Sequence, residues 1–173
     1  MSDSLKYPIG KFTVPTNVTR ENLNIWIEDI ERMPTQLEQV ITTLSESQLN
    51  CSYRPGGWTV HQIVHHIADS HMNSFIRFKL ALTEELPTIK PYDETIWANL
   101  ADVQKTSLLV SLELLKALHV RWTSLLKTMS DADFQRCFYH PELKKTISLA
   151  ENLALYSWHG KHHIEHIKLV LVH

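Results

Sequence analysis

Hydrophobic residues recur every three or four positions over four long stretches of the chain, and this periodicity predicts four amphipathic helices. In the second stretch the apolar stripe consists of Val60, Ile63, Val64, Ile67, Phe75, Phe78 and Leu82. The predicted helices run from Thr19 to about Leu44, from about Thr59 to Glu85, from Ser107 to Met129, and from Ser148 to the C-terminus. Four long helices with medium connections predict an all-α four-helix bundle.

The segments between these helices carry weaker signals. The proline- and glycine-containing segment 1–16 predicts an extended N-terminal arm. Pro34 is predicted to kink or briefly break the first helix, since proline lacks the N–H that a helix interior needs. Asp93 is predicted to cap a short helix that reaches about Ala101.

A small irregular or hairpin insertion is predicted directly before the last helix. Residues 130–134 fit one helical turn, and residues 138–140 could pair with residues 146–147. Ser148 and Glu151 then match a capping box, in which each side chain accepts a hydrogen bond from the other residue's backbone N–H.

Composition narrows the class of protein. The 173 residues predict one domain spanning residues 1–173, and 43% hydrophobic residues suffice for a core. The net charge of −2 gives no basic surface for nucleic acid, and no apolar run approaches the roughly 20 residues that span a bilayer. With no apolar signal segment and only Cys51 and Cys137, a cytoplasmic protein is expected.

Histidine is the unusual residue type, since four of the eleven histidines lie between His159 and His166. In a helix, His159 and His163 stand one turn apart on or beside the apolar stripe, which is the spacing of a helical metal clip. His162 and His166 form a second such pair, which points roughly 90° away and is expected at the rim or in solvent. Imidazole is the commonest protein ligand for metal ions, so this window predicts two ligands of a metal site.

The second helix offers candidates for a third ligand: His61, His65, His66 and His71. Periodicity favours His71, which lies on the apolar stripe, whereas His66 lies about 120° from the stripe's centre. A bundle helix contacts two neighbours, so a flank position can also reach a core cavity. The pattern alone leaves the choice open. The chain has no His-Glu-x-x-His, Gly-x-Ser-x-Gly or phosphate-binding glycine-rich motif.

Several segments together resemble one family. The segment from Gly57 to His71 is similar to the second-helix motif of the DinB superfamily, with Trp58 opening the helix, His66 before an aliphatic residue and Asp69 three positions on. The pair His159-x-x-x-His163 resembles the superfamily's second motif. Resemblance to the YfiT-like branch, described as metal-dependent hydrolases, rests on Tyr7–Gly10, Tyr53–Trp58, His71–Lys79, Lys90–Glu94 and Phe138–Pro141.

The resemblance implies a DinB-like four-helix bundle, a homodimer, and the ligands His66, His159 and His163 for one divalent metal ion per subunit. Zn²⁺ is expected, with Ni²⁺ as an alternative. Three neutral imidazoles with an open position are typical of a catalytic site, at which water could be activated for hydrolysis. One alternative is transfer of a low-molecular-weight thiol such as bacillithiol to electrophiles, and another is a non-catalytic stress-response module.

Further residues are assigned roles around this predicted site. Asp69, one turn after His66, is predicted to accept an imidazole N–H, with a helix-surface carboxylate or an ion pair as the alternative. His71, Asn73, Arg77 and Tyr156 are predicted to line the pocket for a small-molecule substrate or thiol. Core packing is the alternative for His71 and Tyr156, and a solvent-exposed position is the alternative for Asn73 and Arg77.

Overall fold

Four long helices form the body of the protein, which is described by a computed structural model over residues 3–172. They are α2 (Arg20–Ile41), α4 (Val60–Thr83), α7 (Leu108–Thr128) and α9 (Leu149–Leu169). Short helices complete the fold: α1 (Asp3–Lys6), α3 (Glu46–Leu49), α5 (Glu94–Trp97), α6 (Ala101–Lys105) and α8 (Asp131–Gln135). The predicted all-α four-helix bundle is confirmed.

The four long helices pack as a ring in which α2 and α4 each contact both α7 and α9. Helices α2 and α4 therefore lie diagonally opposite each other, although they follow one another in the chain. The apolar core has two parts, one around Phe78 and Trp122 and the other around Ile63 and Leu112. Histidines from α4, α7 and α9 lie between these two parts, at the level of His71.

The ends of the long helices follow from local sequence. Thr19, Thr59, Ser107 and Ser148 each accept a hydrogen bond from a backbone N–H in the first turn of their helix. Only half of the predicted capping box at α9 forms, because the Glu151 carboxylate binds Lys145 Nζ at 2.5 Å instead of the Ser148 N–H. The prediction that α9 runs to the last residue concerns His173, which lies outside the described residues.

Three predictions for the chain before α7 need correction. Helix α2 continues through Pro34, which is buried within it, so the predicted break is absent. The predicted kink stays a prediction. The predicted extended arm contains helix α1, which packs against α9; residues 1–2 lie outside the described part. The short helix capped by Asp93 ends at Trp97, and a separate helix starts at Ala101.

The insertion before the last helix is a two-stranded hairpin. Strand β1 (Cys137–His140) pairs antiparallel with β2 (Lys145–Ser148), with Phe138 opposite Ile147. Both of these apolar side chains are buried in the core, so the hairpin is held by packing against the bundle. Within residues 3–172, no helix has the length and hydropathy needed to cross a lipid bilayer.

Candidate metal centre

Three imidazoles from two neighbouring helices converge at the middle of the bundle. His66 lies on α4, and His159 and His163 lie one turn apart on α9. One ring nitrogen from each lies within 4.8 Å of the others, and Nε2 of His66 is 3.2 Å from Nε2 of His159. Tetrahedral ligands at a Zn–N distance of 2.0–2.1 Å are separated by about 3.3 Å, so this spacing suits one metal ion.

The close approach of helices α2 and α9 depends on Gly160, which is buried between two of these histidines. A Cβ atom at this position would lie 2.8 Å from Cγ of Met33 on α2, well inside normal contact distance. It would also lie 3.9 Å from Cε1 of His71. The absence of a side chain at Gly160 therefore lets α9 sit against Met33 of α2.

The donor set has the chemistry that a divalent ion requires. Burial lowers the pKa of His66 to about 4. Burial, and then the neighbouring histidines, hold the pKa values of His159 and His163 well below 6.5. The three imidazoles are consequently neutral at pH 7, and each has a lone pair available for a metal ion.

A cavity of about 540 Å³ borders this cluster on one side. Trp58 forms part of its wall, with its ring centroid 4.6 Å from that of His66. Tyr7, Arg54 and Trp158 also line the cavity, and they come from the N-terminal segment, the loop before α4, and α9. An aromatic wall with a guanidinium group suits a small molecule that has an apolar part and a polar or anionic part.

Helical periodicity predicted that His162 and His166 face the rim or the solvent. Both line the first cavity, but neither is exposed to solvent. They are 7% and 3% exposed, and their rings lie 4.2 Å apart. The N-terminal segment covers them, since His166 Nε2 is 3.1 Å from the Lys6 carbonyl and the Tyr7 ring stacks on His162. Periodicity within α9 could not reveal this cover, because it comes from the opposite end of the chain.

A second cavity, of about 530 Å³, meets the cluster from another side, so His159 lines both cavities. Arg77 and Tyr156, two of the predicted pocket residues, line this second cavity together with Tyr92. The Tyr156 hydroxyl lies 3.1 Å from Ser70 Oγ, and burial raises the pKa of this phenol. Tyr156 is therefore a neutral hydrogen-bonding group at neutral pH.

The other predicted site residues lie elsewhere. Asn73 borders neither cavity, and its amide donates to the Asp69 carbonyl one turn earlier. His71 is fully buried behind His159 and also borders neither cavity. Among the described residues, the Asp69 carboxylate has no imidazole partner, and burial followed by the charge of Asp102 raises its pKa to about 6.

Sequence reasoning missed His119, a 2% exposed histidine on α7 that contacts His71. A signal was present, because His119 follows Leu112 and Leu115 by seven and four residues and so shares their apolar face. His65, another candidate ligand on α4, is held by other groups of the protein. Both of its ring nitrogens have protein partners, Ser111 Oγ at 2.8 Å and the Thr106 carbonyl at 3.2 Å.

The chain has close relatives among known proteins. It is 51% identical over 166 residues to "Putative metal-dependent hydrolase YfiT" of Bacillus subtilis, covering 96% of this chain and 93% of that protein. It is also 51% identical over 162 residues to "Putative metal-dependent hydrolase OB0782" of Oceanobacillus iheyensis, covering 94% of this chain and 93% of that protein.

The fold is similar to a solved structure of YfiT from Bacillus subtilis. The TM-score is 0.94 at 50% sequence identity, covering 96% of this chain and 95% of that one. That protein is described as "a probable metal-dependent hydrolase with an unusual four-helix bundle topology". The family model of the DinB superfamily matches residues 29–167, which include all three clustered histidines. The protein therefore belongs to the DinB superfamily.

Proposed function

We propose that the protein is a metal-dependent hydrolase of small molecules. The observation that carries this proposal is the convergence of His66, His159 and His163 beside two cavities, with nitrogen atoms within 4.8 Å of one another. These three residues would hold the ion. A bound divalent ion supplies Lewis acidity, which makes a nucleophile available near neutral pH.

The surrounding residues support binding and positioning of a substrate. Trp58 and Trp158 offer apolar faces in the first cavity, where Arg54 can bind an anionic group. In the second cavity, Tyr156 and Arg77 can donate hydrogen bonds to a carbonyl or carboxylate oxygen that reaches His159. Because the three imidazoles carry no charge, they would leave the charge of a bound divalent ion uncompensated. The site therefore suits substrates with electron-rich oxygen atoms.

The test compares metal-free protein with protein reloaded with Zn²⁺ or Ni²⁺. Hydrolysis of p-nitrophenyl acetate, p-nitrophenyl phosphate and a chromogenic amide is measured, together with bound metal by mass spectrometry. We expect one ion per chain and hydrolysis only in a loaded form. Replacing His66, His159 or His163 by Ala is expected to reduce zinc affinity more than about 100-fold, exceeding the usual effect of losing a residue behind a ligand.

The matched control is His61→Ala, on the same helix as His66 but bordering neither cavity. Full metal content in a ligand variant would contradict the ligand assignment. If adducts between a thiol and 1-chloro-2,4-dinitrobenzene form only with metal, and no hydrolysis is found, the protein is a thiol transferase and the proposed hydrolase function is wrong. Unfolding on metal removal without any turnover would indicate a non-catalytic module.

We further propose Zn²⁺ as the resident ion, with Ni²⁺ as the alternative, and a cytoplasmic homodimer. Neutral imidazoles suit both ions, so metal analysis of untagged protein decides between them.

Exposed aliphatic side chains on α7 support self-association: Leu109, Val110, Leu114 and Val120 are 44–68% exposed. Sedimentation equilibrium tests the dimer, and Val120→Glu is expected to weaken it.

A further inference from the structure

A row of hydrogen bonds runs behind the three clustered histidines and connects all four long helices. His159 Nδ1 on α9 lies 3.2 Å from His71 Nε2 on α4. His71 Nδ1 lies 2.9 Å from His119 Nε2 on α7. His119 Nδ1 lies 2.5 Å from the carbonyl oxygen of Ile30 on α2. Neither His71 nor His119 borders the cavity that contains the three clustered histidines.

The carbonyl at the end of this row is available because of Pro34. In an α-helix, the carbonyl of residue 30 accepts a hydrogen bond from the N–H of residue 34. Proline has no N–H, so Ile30 lacks that helical donor although α2 continues through this point. An unpaired buried carbonyl is costly, and the His119 side chain supplies the missing donor.

The direction of every bond in the row follows from this end. A carbonyl only accepts, so His119 must carry its proton on Nδ1. Burial lowers the pKa of His119 to about 4, and its Nε2 is therefore a bare acceptor at neutral pH. His71 must then donate from Nδ1. His71 is fully buried, and among residues 3–172 its ring nitrogens bind only His119 and His159. An imidazolium there would be strongly unfavourable, so His71 Nε2 is bare and accepts from His159 Nδ1.

We propose that Pro34, His119 and His71 form a relay that fixes the tautomer of His159, with the proton on Nδ1 and the Nε2 lone pair facing the metal site. This inference rests on the proposed function in treating His159 as a ligand. The relay residues position the ligand and take no part in bond making. Histidine ligands generally donate their second N–H to a carbonyl or carboxylate. Here His71 and His119 connect His159 to such a carbonyl on the far side of the bundle, and they add no negative charge to the site.

The relay is tested on metal-free protein labelled with ¹⁵N in histidine. Long-range ¹H–¹⁵N correlation spectra distinguish the protonated ring nitrogen from the bare one. We expect His71, His119 and His159 to be Nδ1–H tautomers at pH 7.5. A wild-type spectrum in which His159 carries its proton on Nε2 overturns the relay without any variant. Because this readout needs neither metal nor activity, it stays informative if the protein is no hydrolase.

Two substitutions at one position separate the relay from simple packing. His119→Gln can place its amide oxygen near the former Nε2 and still accept from His71, so the His159 tautomer should remain. His119→Phe removes that acceptor, so we expect His159 to become a tautomer mixture and zinc affinity to fall about 10–100-fold. Affinity is measured by competition with a chromophoric chelator. Equal tautomers and equal affinities in both variants would overturn the relay. Normal tautomers in a wild-type protein that binds no zinc would instead overturn the proposed function.

Discussion

At the scale of single residues, burial determines what the histidine cluster can bind. The pKa of His66 falls to about 4 because its ring is buried against Trp58. Protons and metal ions compete for the same lone pairs, so an imidazole with a low pKa stays available to a metal in mildly acidic solution. The folded site should therefore tolerate acid better than exposed histidines do.

We expect zinc affinity of the wild-type protein to change less than about tenfold between pH 7.5 and pH 5.5. Each of three exposed imidazoles, with pKa values near 6.5, would lose about tenfold over this range because protonation removes the lone pair. Competition with a chelator calibrated at each pH measures the affinity, and a hexahistidine peptide provides the exposed comparison. A loss of about 1,000-fold would mean that the three histidines titrate as exposed groups.

The site residues differ in how far the sequence predicts them. His159 and His163 follow from their i, i+4 spacing beside an apolar stripe. His66 was predicted only from the family resemblance. It lies away from the apolar stripe of α4, and it faces the site only because α9 packs against that side of the helix. His119 and the Ile30 carbonyl meet only in the folded bundle, so no local pattern joins them.

At the scale of elements, helix α2 contains a proline that lowers its helix propensity and yet lies in its buried middle. An interior proline costs about 3 kcal/mol relative to alanine. Because Pro34 has no N–H, the Ile30 carbonyl accepts a hydrogen bond from His119 instead of from the helix backbone. Helix α2 and the histidine row are therefore coupled through one oxygen atom.

Pro34→Ala should stabilise the His119→Phe variant more than it stabilises the wild-type protein. In the variant the Ile30 carbonyl has lost its donor, and the backbone N–H that alanine introduces at position 34 restores one. In wild-type protein the same N–H competes with His119. Urea denaturation of the four proteins forms a double-mutant cycle, in which we expect coupling of about 0.5–3 kcal/mol. Additive effects would mean that the proline and the histidine act independently.

Elements with their own periodicity were predicted well, and elements that depend on tertiary contacts were not. The four long helices have clear apolar patterns and capping residues. Helix α1 and the gap between α5 and α6 lack such patterns. Their conformations depend on contacts with α9 and α4, which no local sequence pattern contains.

At the scale of the whole molecule, a layer of buried histidines separates two apolar parts of the core. Burial lowers the pKa values of His66, His119, His162 and His166 to about 4. The unfolded chain, with pKa values near 6.5, therefore binds more protons than the folded chain between pH 6.5 and pH 4. Stability from these groups is fully present above pH 6.5 and is lost as the pH falls through that window.

The metal-free protein should accordingly lose unfolding free energy steadily between pH 6.5 and pH 4.5, while His119→Gln should lose less. Removing one such histidine removes a slope of up to about 1.4 kcal/mol per pH unit. Urea denaturation at several pH values, with a chelator present throughout, measures both proteins. Parallel curves for the two proteins would show that His119 contributes nothing to the acid sensitivity.

The Pro34 position also has a consequence for how sequences of this superfamily can vary. A chain that regains an N–H at position 34 closes the Ile30 carbonyl into the helix, and position 119 then no longer needs a donor. A chain that replaces only His119, and by an apolar residue, leaves a buried carbonyl and a buried imidazole N–H without partners. Positions 34, 71 and 119 should therefore change together among relatives. Such covariation would show that evolution constrains the three residues of the relay jointly.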